Sequence, residues 1–469
     1  MKTLFITSFH SFISKNILNT DVLRILGGAS DLRVVIFVPQ SKVSFFERHY
    51  ASENVRIEGV DVATITESKR NVFFSRLFFL MIRSHYLWYK RVERRDAQPT
   101  LLAWVKYVVY SGLVRVLSGS RALNRLARFA SYRFTPKNIL EAHFARYQPS
   151  LVFSTDVFDP VDAQFLKEAK YHHVATLGMV RSWDNCYSKG LMPVLPDALL
   201  TNNELIKEEA VTLHNYPAER VTVVGLPQFD AFVREERISR EAFFKSIGVD
   251  PSQKLVLFAP AGSILSDTDW QTCEILENAR AKGEIRHPVH FFVRNHPGHP
   301  ADLSRFKENP HFTIQNPGQI FDTNSKNNEL DPRDQKELAD LLYHSDVVLF
   351  VATTLGLDAT VYDKPQIMID FDGYEKKDYT KSVARYHDED HMKKYIATAG
   401  VRVVRDAKEL IDSINAYLEN PQIDSEGRDS IVREQLFKID GKSGERVAEQ
   451  ILKSLSASYG KERNNQKEV

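Results

Sequence analysis

Short apolar runs recur along the chain, each stopped by small or polar residues and followed by a stretch of helical spacing. Runs at 3–7, 32–38, 151–154, 173–177, 197–201 and 220–224 read as strands, with 55–62 extended. A second series follows at 255–258, 289–293, 312–314, 347–351 and 366–369. Helical spacing falls between them: from Ser14 or Asn16 to Leu26, then 43–50, 136–147, 160–171, 204–214, 239–247, 270–282 and 334–344. Helices at 407–418 and 430–455 close the chain, and the stretch from Gly373 to Lys394 reads as irregular. Such alternation predicts parallel sheets covered on both faces, with ligands at the carboxyl ends of the strands.

The 469 residues suffice for two or three domains, and two separated cysteines, Cys186 and Cys273, supply neither a disulfide framework nor a cysteine metal site. The first seven residues read as a strand rather than a signal peptide. The net charge of +1 conceals a basic block at 69–137, where fifteen lysines and arginines stand against Glu93 and Asp96. Aromatic residues run through it, among them Phe73, Phe78, Trp88, Trp104 and Tyr107. This composition suits helices lying on an anionic membrane surface. The competing reading is a helical insertion packed on its domain with a solvated basic face. A single-stranded nucleic-acid surface ranks below both, because no recognisable nucleic-acid module accompanies the charge. Lys106 and Arg115 interrupt 101–117, its most apolar part, so lying on a membrane is expected rather than spanning it.

Candidate chemistry gathers where strands end. After 347–351 come Thr353 and Thr354, at the expected start of a helix whose first amides suit phosphate. Asp358 lies about one turn on and suits ribose hydroxyls. Taken alone, this is an ordinary strand-to-helix turn with an N-cap threonine. Arg294-Asn295-His296-Pro297 offers a cation and donors to a diphosphate, or a structural turn. Small residues around Gly262 and Ser263 let a ligand approach the backbone. In the first half, Gly178–Gly190 packs Arg181, Ser182, Trp183, Asp184, Asn185 and Lys189 between glycines. A carboxylate among such groups can act as base, nucleophile or hydroxyl binder. The plainer alternative is a surface loop with a buried Trp183 and a turn-capping Asp184. His10, just past the first strand, competes as base and reads equally well as a loop histidine.

Three segments then carry a resemblance: Val224-Gly225-Leu226-Pro227-Gln228-Phe229-Asp230; Arg294–Pro297; and Ser345-Asp346 through Thr353, Thr354 and Asp358 to Lys364-Pro365. In order and spacing the chain resembles GT-B glycosyltransferases, in the branch of the CDP-glycerol glycerophosphotransferases and UDP-N-acetylglucosamine 2-epimerases. The resemblance implies an α/β, GT-B-like fold: two Rossmann-like doubly wound domains facing a central cleft, with the basic helical insertion in the first. The expected boundaries are 1–232 on the acceptor side (insertion 68–137), 233–420 for the nucleotide donor, and 421–469 as terminal helices and polar tail. It implies donor contacts at Gly262, Ser263, Arg294, His296, Thr353, Thr354 and Asp358. Many relatives carry Glu where Asp358 stands. Glycerophosphotransferases usually show a His-Gly pair where this chain has Gly178-Met179, and Thr7-Ser8-Phe9-His10 replaces the epimerases' amino-terminal turn.

The expected activity is therefore glycosyl transfer from a nucleotide-activated sugar to an acceptor hydroxyl. Asp184 is the expected base, with His10 the competitor, and Arg181, Ser182, Trp183, Asn185 and Lys189 on the acceptor side. No metal and no cofactor is expected. The expected partners are a glycan or lipid-linked acceptor and an anionic membrane surface, not nucleic acid, with the protein peripheral on the cytoplasmic face. The alternatives are a glycerol-phosphate or polyol-phosphate transferase using a CDP donor, a nucleotide-sugar 2-epimerase, or a non-catalytic nucleotide- or glycan-binding protein.

Overall fold

The computed structural model describes residues 1–320, 328–330, 332–351 and 353–465. Two units emerge: 1–230 together with 442–469, and 231–441. The segment expected to stand apart at 421–469 is thus shared out, its first part with the second unit and its last helix with the first.

The first unit is built on seven parallel strands: β1 Lys2–Thr7, β2 Leu32–Pro39, β3 Val55–Val60, β4 Leu151–Ser154, β5 Ala175–Met179, β6 Ala198–Thr201 and β7 Val221–Val223. Their order is β3-β2-β1-β4-β5-β6-β7. The order reverses between β1 and β4, the topological switch point where a doubly wound sheet leaves a crevice. Inner strands such as β2 and β4 are largely apolar because helices cover both faces, whereas the edge strand β3 carries Arg56 and Glu58. On one face Phe5, Phe37, Phe144 and Phe165 interlock, with Phe5 edge-on to Phe37 at 4.6 Å.

The second unit repeats the plan. β8 Lys254–Ala259, β9 Val289–Arg294 and β10 Phe312–Gln315 come first; β11 Gln319–Ile320 and β12 Asn328–Glu329 form a small antiparallel pair. β13 Val347–Phe350, β14 Gln366–Ile369 and β15 Arg402–Val404 complete a six-stranded parallel sheet, ordered β10-β9-β8-β13-β14-β15. The reversal falls between β8 and β13. Val256, Phe258, Phe291 and Leu349 lie in its core with Ile414 and Tyr417 of the covering helix Ala407–Glu419.

Several local expectations change. The helix expected from residue 14 or 16 to 26 is broken: Thr20 accepts the Val22 amide at 3.3 Å and starts a new helix, Asp21–Gly27. The 136–147 helix begins only at Glu141. The excursion before Lys394 contains the helix Asp390–Ala397. The expected 430–455 helix divides into Ser425–Ile431, a wide turn Val432–Leu436, and Ser443–Asn465. Phe437 sits at φ 69° in the break, a conformation that ends a helix.

The basic block forms four helices, Lys69–Leu80, His85–Ala97, Leu101–Leu117 and Arg121–Phe134. Phe74, Phe78, Leu87 and Ala127 bury a shared face with Leu191, so three of the helices pack on the unit. The Leu101–Leu117 helix differs: Val114 is its one buried residue, whereas Leu101 is 83 % and Val116 71 % exposed. Among the described residues no single helix is long and apolar enough to cross a membrane; the Leu101–Leu117 and Arg121–Phe134 pair passes only together, bent by 108°.

The last helix is fastened by Asp230. Its carboxylate accepts the amides of Ser443 at 3.0 Å and Gly444 at 2.6 Å, orphan donors at a helix start. Asp230→Ala is expected to cost about 1–2 kcal/mol in urea denaturation. In hydrogen exchange it should release the 443–457 amides before those of the sheet. Unchanged protection there would contradict this role.

Candidate functional site

In the first unit the site grows from the carboxyl ends of β1, β4 and β5. Asp162, in the first turn of the helix Pro160–Tyr171, is fully enclosed. The Thr7 hydroxyl donates to it, as do the Ser154 hydroxyl at 2.9 Å and the Asp156 amide at 3.2 Å. One carboxylate therefore ties β1 to β4 across the switch point. Burial, reinforced by Asp159 and Asp156, raises the Asp162 pKa well above the usual carboxylate range, and burial also pushes Asp159 up to about 6. The charge that answers this acidic group is Arg181, whose Nε lies 2.7 Å from Asp156 Oδ2 with both side chains buried.

Arg181 opens the loop after β5. Within it, Asp184 accepts the hydroxyls of Ser182 at 2.6 Å and Ser188 at 2.7 Å, one on each oxygen. Its side chain does not cap the short helix Asn185–Ser188 that it precedes. Trp183 is buried, and Lys189 is exposed. Asn185 is fully buried, with neither amide atom bonded. His10 faces the same charges. Burial pushes its pKa down to about 2, helped by Arg181, Lys189 and Lys42 and opposed by Asp184. The Phe12 amide donates to His10 Nδ1 at 3.2 Å, so the neutral ring carries its proton on Nε2. The structure therefore brings His10, Arg181, Asp184 and Lys189 into one electrostatic neighbourhood, and adds Lys42 and Asp156. The polar run Ser154-Thr155-Asp156 at a strand end was a readable signal for Asp156. Lys42 gave none.

Gly178 closes the end of β5. A Cβ there would lie 2.4 Å from Val157 and 2.7 Å from Pro196, so no side chain fits at this position.

The second unit repeats the carboxylate device. Asp269, first residue of the helix Asp269–Ala281, accepts the amides of Ala261 at 3.0 Å and Gly262 at 2.9 Å. What approaches the backbone at Gly262 is the His299 carbonyl: at φ 82°, an added Cβ would meet it at 2.2 Å. The Ser263 amide donates to the same carbonyl at 3.2 Å, with its side chain exposed. His296 stacks on His299 at 5.5 Å and accepts the Gly298 amide on Nδ1 at 3.1 Å. Burial, then His299, lowers its pKa to about 4. His296 is thus a neutral donor through Nε2.

Arg294 is buried at the end of β9. It donates to the Gln315 side chain and, at 3.2 Å, to the Asp334 carbonyl. Burial lowers its pKa against the opposing charges of Asp334, Glu337 and Asp358. Asp358 is buried in the short helix Leu355–Thr360, so Arg294 and Asp358 share one environment. Thr353 Oγ1 accepts the Leu355 amide at 3.4 Å; Thr354 is exposed, and its carbonyl accepts the Leu357 and Asp358 amides. Asp269 went unnoticed in the sequence, although Asp267-Thr268-Asp269 before a helical stretch is a readable helix start. Among the described residues no group of three or more His, Cys, Asp or Glu side chains is placed to hold a metal ion.

Two α/β units of this topology define a GT-B-like protein, and solved structures agree. UDP-GlcNAc 2-epimerase from Neisseria meningitidis, bound to UDP-GlcNAc, superposes with TM-score 0.55 at 13 % identity, covering 97 % of this chain and 100 % of that one. A variant of the wall teichoic acid polymerase TagF with CDPG gives 0.54 at 12 %, covering 98 % and 90 %. The Methanocaldococcus jannaschii UDP-GlcNAc 2-epimerase gives 0.52 at 13 %, covering 96 % and 99 %. The family is fixed by sequence: the model for CDP-Glycerol:Poly(glycerophosphate) glycerophosphotransferase matches residues 180–453, more than half of the chain, which therefore belongs to this family. No curated protein matches it.

The histidine geometry has a pH consequence. A histidine whose folded pKa lies below its unfolded value near 6.5 binds its proton in the unfolded chain first. His10 and His296 therefore make stability fall as pH drops from 6.5 toward about 4. Nitrogen-15 NMR of the imidazoles should show His10 as the Nε2–H tautomer, without titration between pH 7 and about 4. A His10 midpoint near 6.5 would refute the assignment.

Proposed function

We propose that this protein moves a nucleotide-activated group onto an acceptor hydroxyl. In the first reading the group is a sugar. The acceptor oxygen bonds to the anomeric carbon, the bond from that carbon to the phosphate oxygen breaks, and the nucleoside diphosphate leaves with the electron pair. Asp184 takes the acceptor proton. The observation that carries this role is its carboxylate, fixed by two serine hydroxyls beside a histidine that burial keeps neutral. A ring that protonates near pH 2 is a poor base, so His10 serves instead as a hydrogen-bond donor through Nε2. In the second unit Arg294, neutral His296 and the turn at Thr353 and Thr354 stabilise the charge growing on the leaving diphosphate.

The second reading transfers a polyol phosphate from a CDP donor: the acceptor oxygen bonds to phosphorus and CMP departs. The family match over residues 180–453 favours it. Against it stands Gly178-Met179, where the resemblance leads one to expect a His-Gly pair, at a site with no room for a side chain on residue 178.

Incubation with UDP-sugars and with CDP-glycerol, each with and without hydroxyl acceptors, separates the readings by the nucleotide released: UDP for the first, CMP for the second. Isomerised sugar without acceptor would instead indicate an epimerase. Asp184→Asn is expected to lower turnover by about 10²–10⁴-fold while the nucleotide-induced rise in melting temperature persists. Full activity in that variant would remove Asp184 from the chemistry.

The acceptor is proposed to lie at the cytoplasmic membrane face. The support is the exposed apolar surface of Leu101–Leu117, with Trp104, Val105 and Val108, beside Arg121, Arg125 and Arg133 on the next helix. Anionic liposomes should float the intact protein and fail to float Trp104→Glu/Val108→Glu. Equal flotation of both would count against this surface.

A further inference from the structure

Beneath the basic insertion lies a half-open cavity of about 40 Å³. Its roof is insertion helix, through Asn71, Phe78 and Ser131; its floor is the Pro160–Tyr171 helix, through Lys167; Lys189 and Leu191 close one side. The space suits roughly three waters, the scale of one phosphate group.

Its polar lining is poorly answered from within the protein. Lys167 is only 5 % exposed, yet no hydrogen-bond acceptor or carboxylate pairs with its ammonium among the described residues. Burial, helped by the neighbouring cation Lys137, lowers its pKa to about 8. The Ser131 hydroxyl and the Asn71 side-chain oxygen are buried without partners. A cation on a largely buried side chain without a counter-ion costs free energy, which a bound anion would offset. Phe74, Phe78 and Leu191 add an apolar wall. Lys189 belongs both to this cavity and to the surroundings of His10, so the cavity adjoins the Asp184 loop.

We infer that this cavity binds the phosphate of an organic phosphate, through Lys167, Lys189 and Ser131, and so holds the acceptor by its anionic part. The acceptor role rests on the transferase reading above; the phosphate site does not. Soluble glycerol phosphate and a lipid's phosphate head share this chemistry.

Calorimetry of the full chain with glycerol 1-phosphate tests it. Lys167→Met, which keeps the buried stem and removes the unpaired charge, should weaken binding roughly tenfold or more. Its melting temperature should be unchanged or higher, and CDP and UDP should still bind. Lys167→Arg should retain binding. If Lys167→Met does not fold, Ser131→Ala takes its place and should also weaken binding. No binding by the wild-type chain, or equal binding by Lys167→Met or its substitute, overturns the site. Phosphatidylcholine vesicles with and without phosphatidic acid identify the source. Loss of the phosphatidic-acid-dependent part in the variant points to a lipid head; loss confined to glycerol 1-phosphate points to a soluble acceptor. Either supports the site. Failure of nucleotide binding throughout would sink the transferase reading and leave this result standing.

Discussion

In each unit a buried carboxylate at the start of a helix holds a strand-end loop in place. Asp162 gathers Thr7, Ser154 and the Asp156 amide; Asp269 gathers the amides of Ala261 and Gly262. Neither is a cap in the usual sense, because the donors lie on strand ends and the preceding loop rather than in the helix itself. The helix start still favours the negative charge. Burial opposes it and pushes Asp269 up to about 6. The compromise is strained electrostatically but rigid geometrically, and rigidity is what a site assembled from loops requires.

The residues that make the family visible are largely architectural. A Cβ on Gly225 would lie 2.4 Å from the Ser443 hydroxyl, and Asp230 caps the helix that Ser443 begins. The Val224–Asp230 signature thus encodes the return of the chain's last helix to the first unit. Arg294 is similar in part: two of its bonds anchor β9 to Gln315 and Asp334. A guanidinium fixed in this way would meet a ligand without further loss of rotamer freedom, so its structural anchoring is compatible with the proposed binding role.

The sheets were legible because buried parallel strands leave uninterrupted apolar runs such as Leu255–Phe258 and Val347–Phe350. Breaks within helical segments were not. Thr20 and Phe437 divide stretches whose apolar spacing continues across them, because side-chain bonds and one left-handed residue decide the outcome locally. Candidate residues next to a recognised strand end, such as Asp184 and Arg181, could be singled out by position. Asp162 and Lys167 could not, since in sequence they are ordinary members of an amphipathic helix. The environment that makes them unusual comes from β1 in one case and from the insertion, distant in sequence, in the other.

Both units also keep their strand-end histidine neutral by one device. A backbone amide two residues on donates to Nδ1, Phe12 to His10 and Gly298 to His296. That amide fixes the tautomer, and burial with nearby cations or a second imidazole suppresses the charge. A neutral imidazole aims one N–H donor without adding a titratable charge at physiological pH. Within each unit the fixed charge is then left to a buried arginine, Arg181 in the first and Arg294 in the second. In either unit, groups held this way would respond to charge on a bound ligand rather than to the pH around them, as the proposed transfer requires.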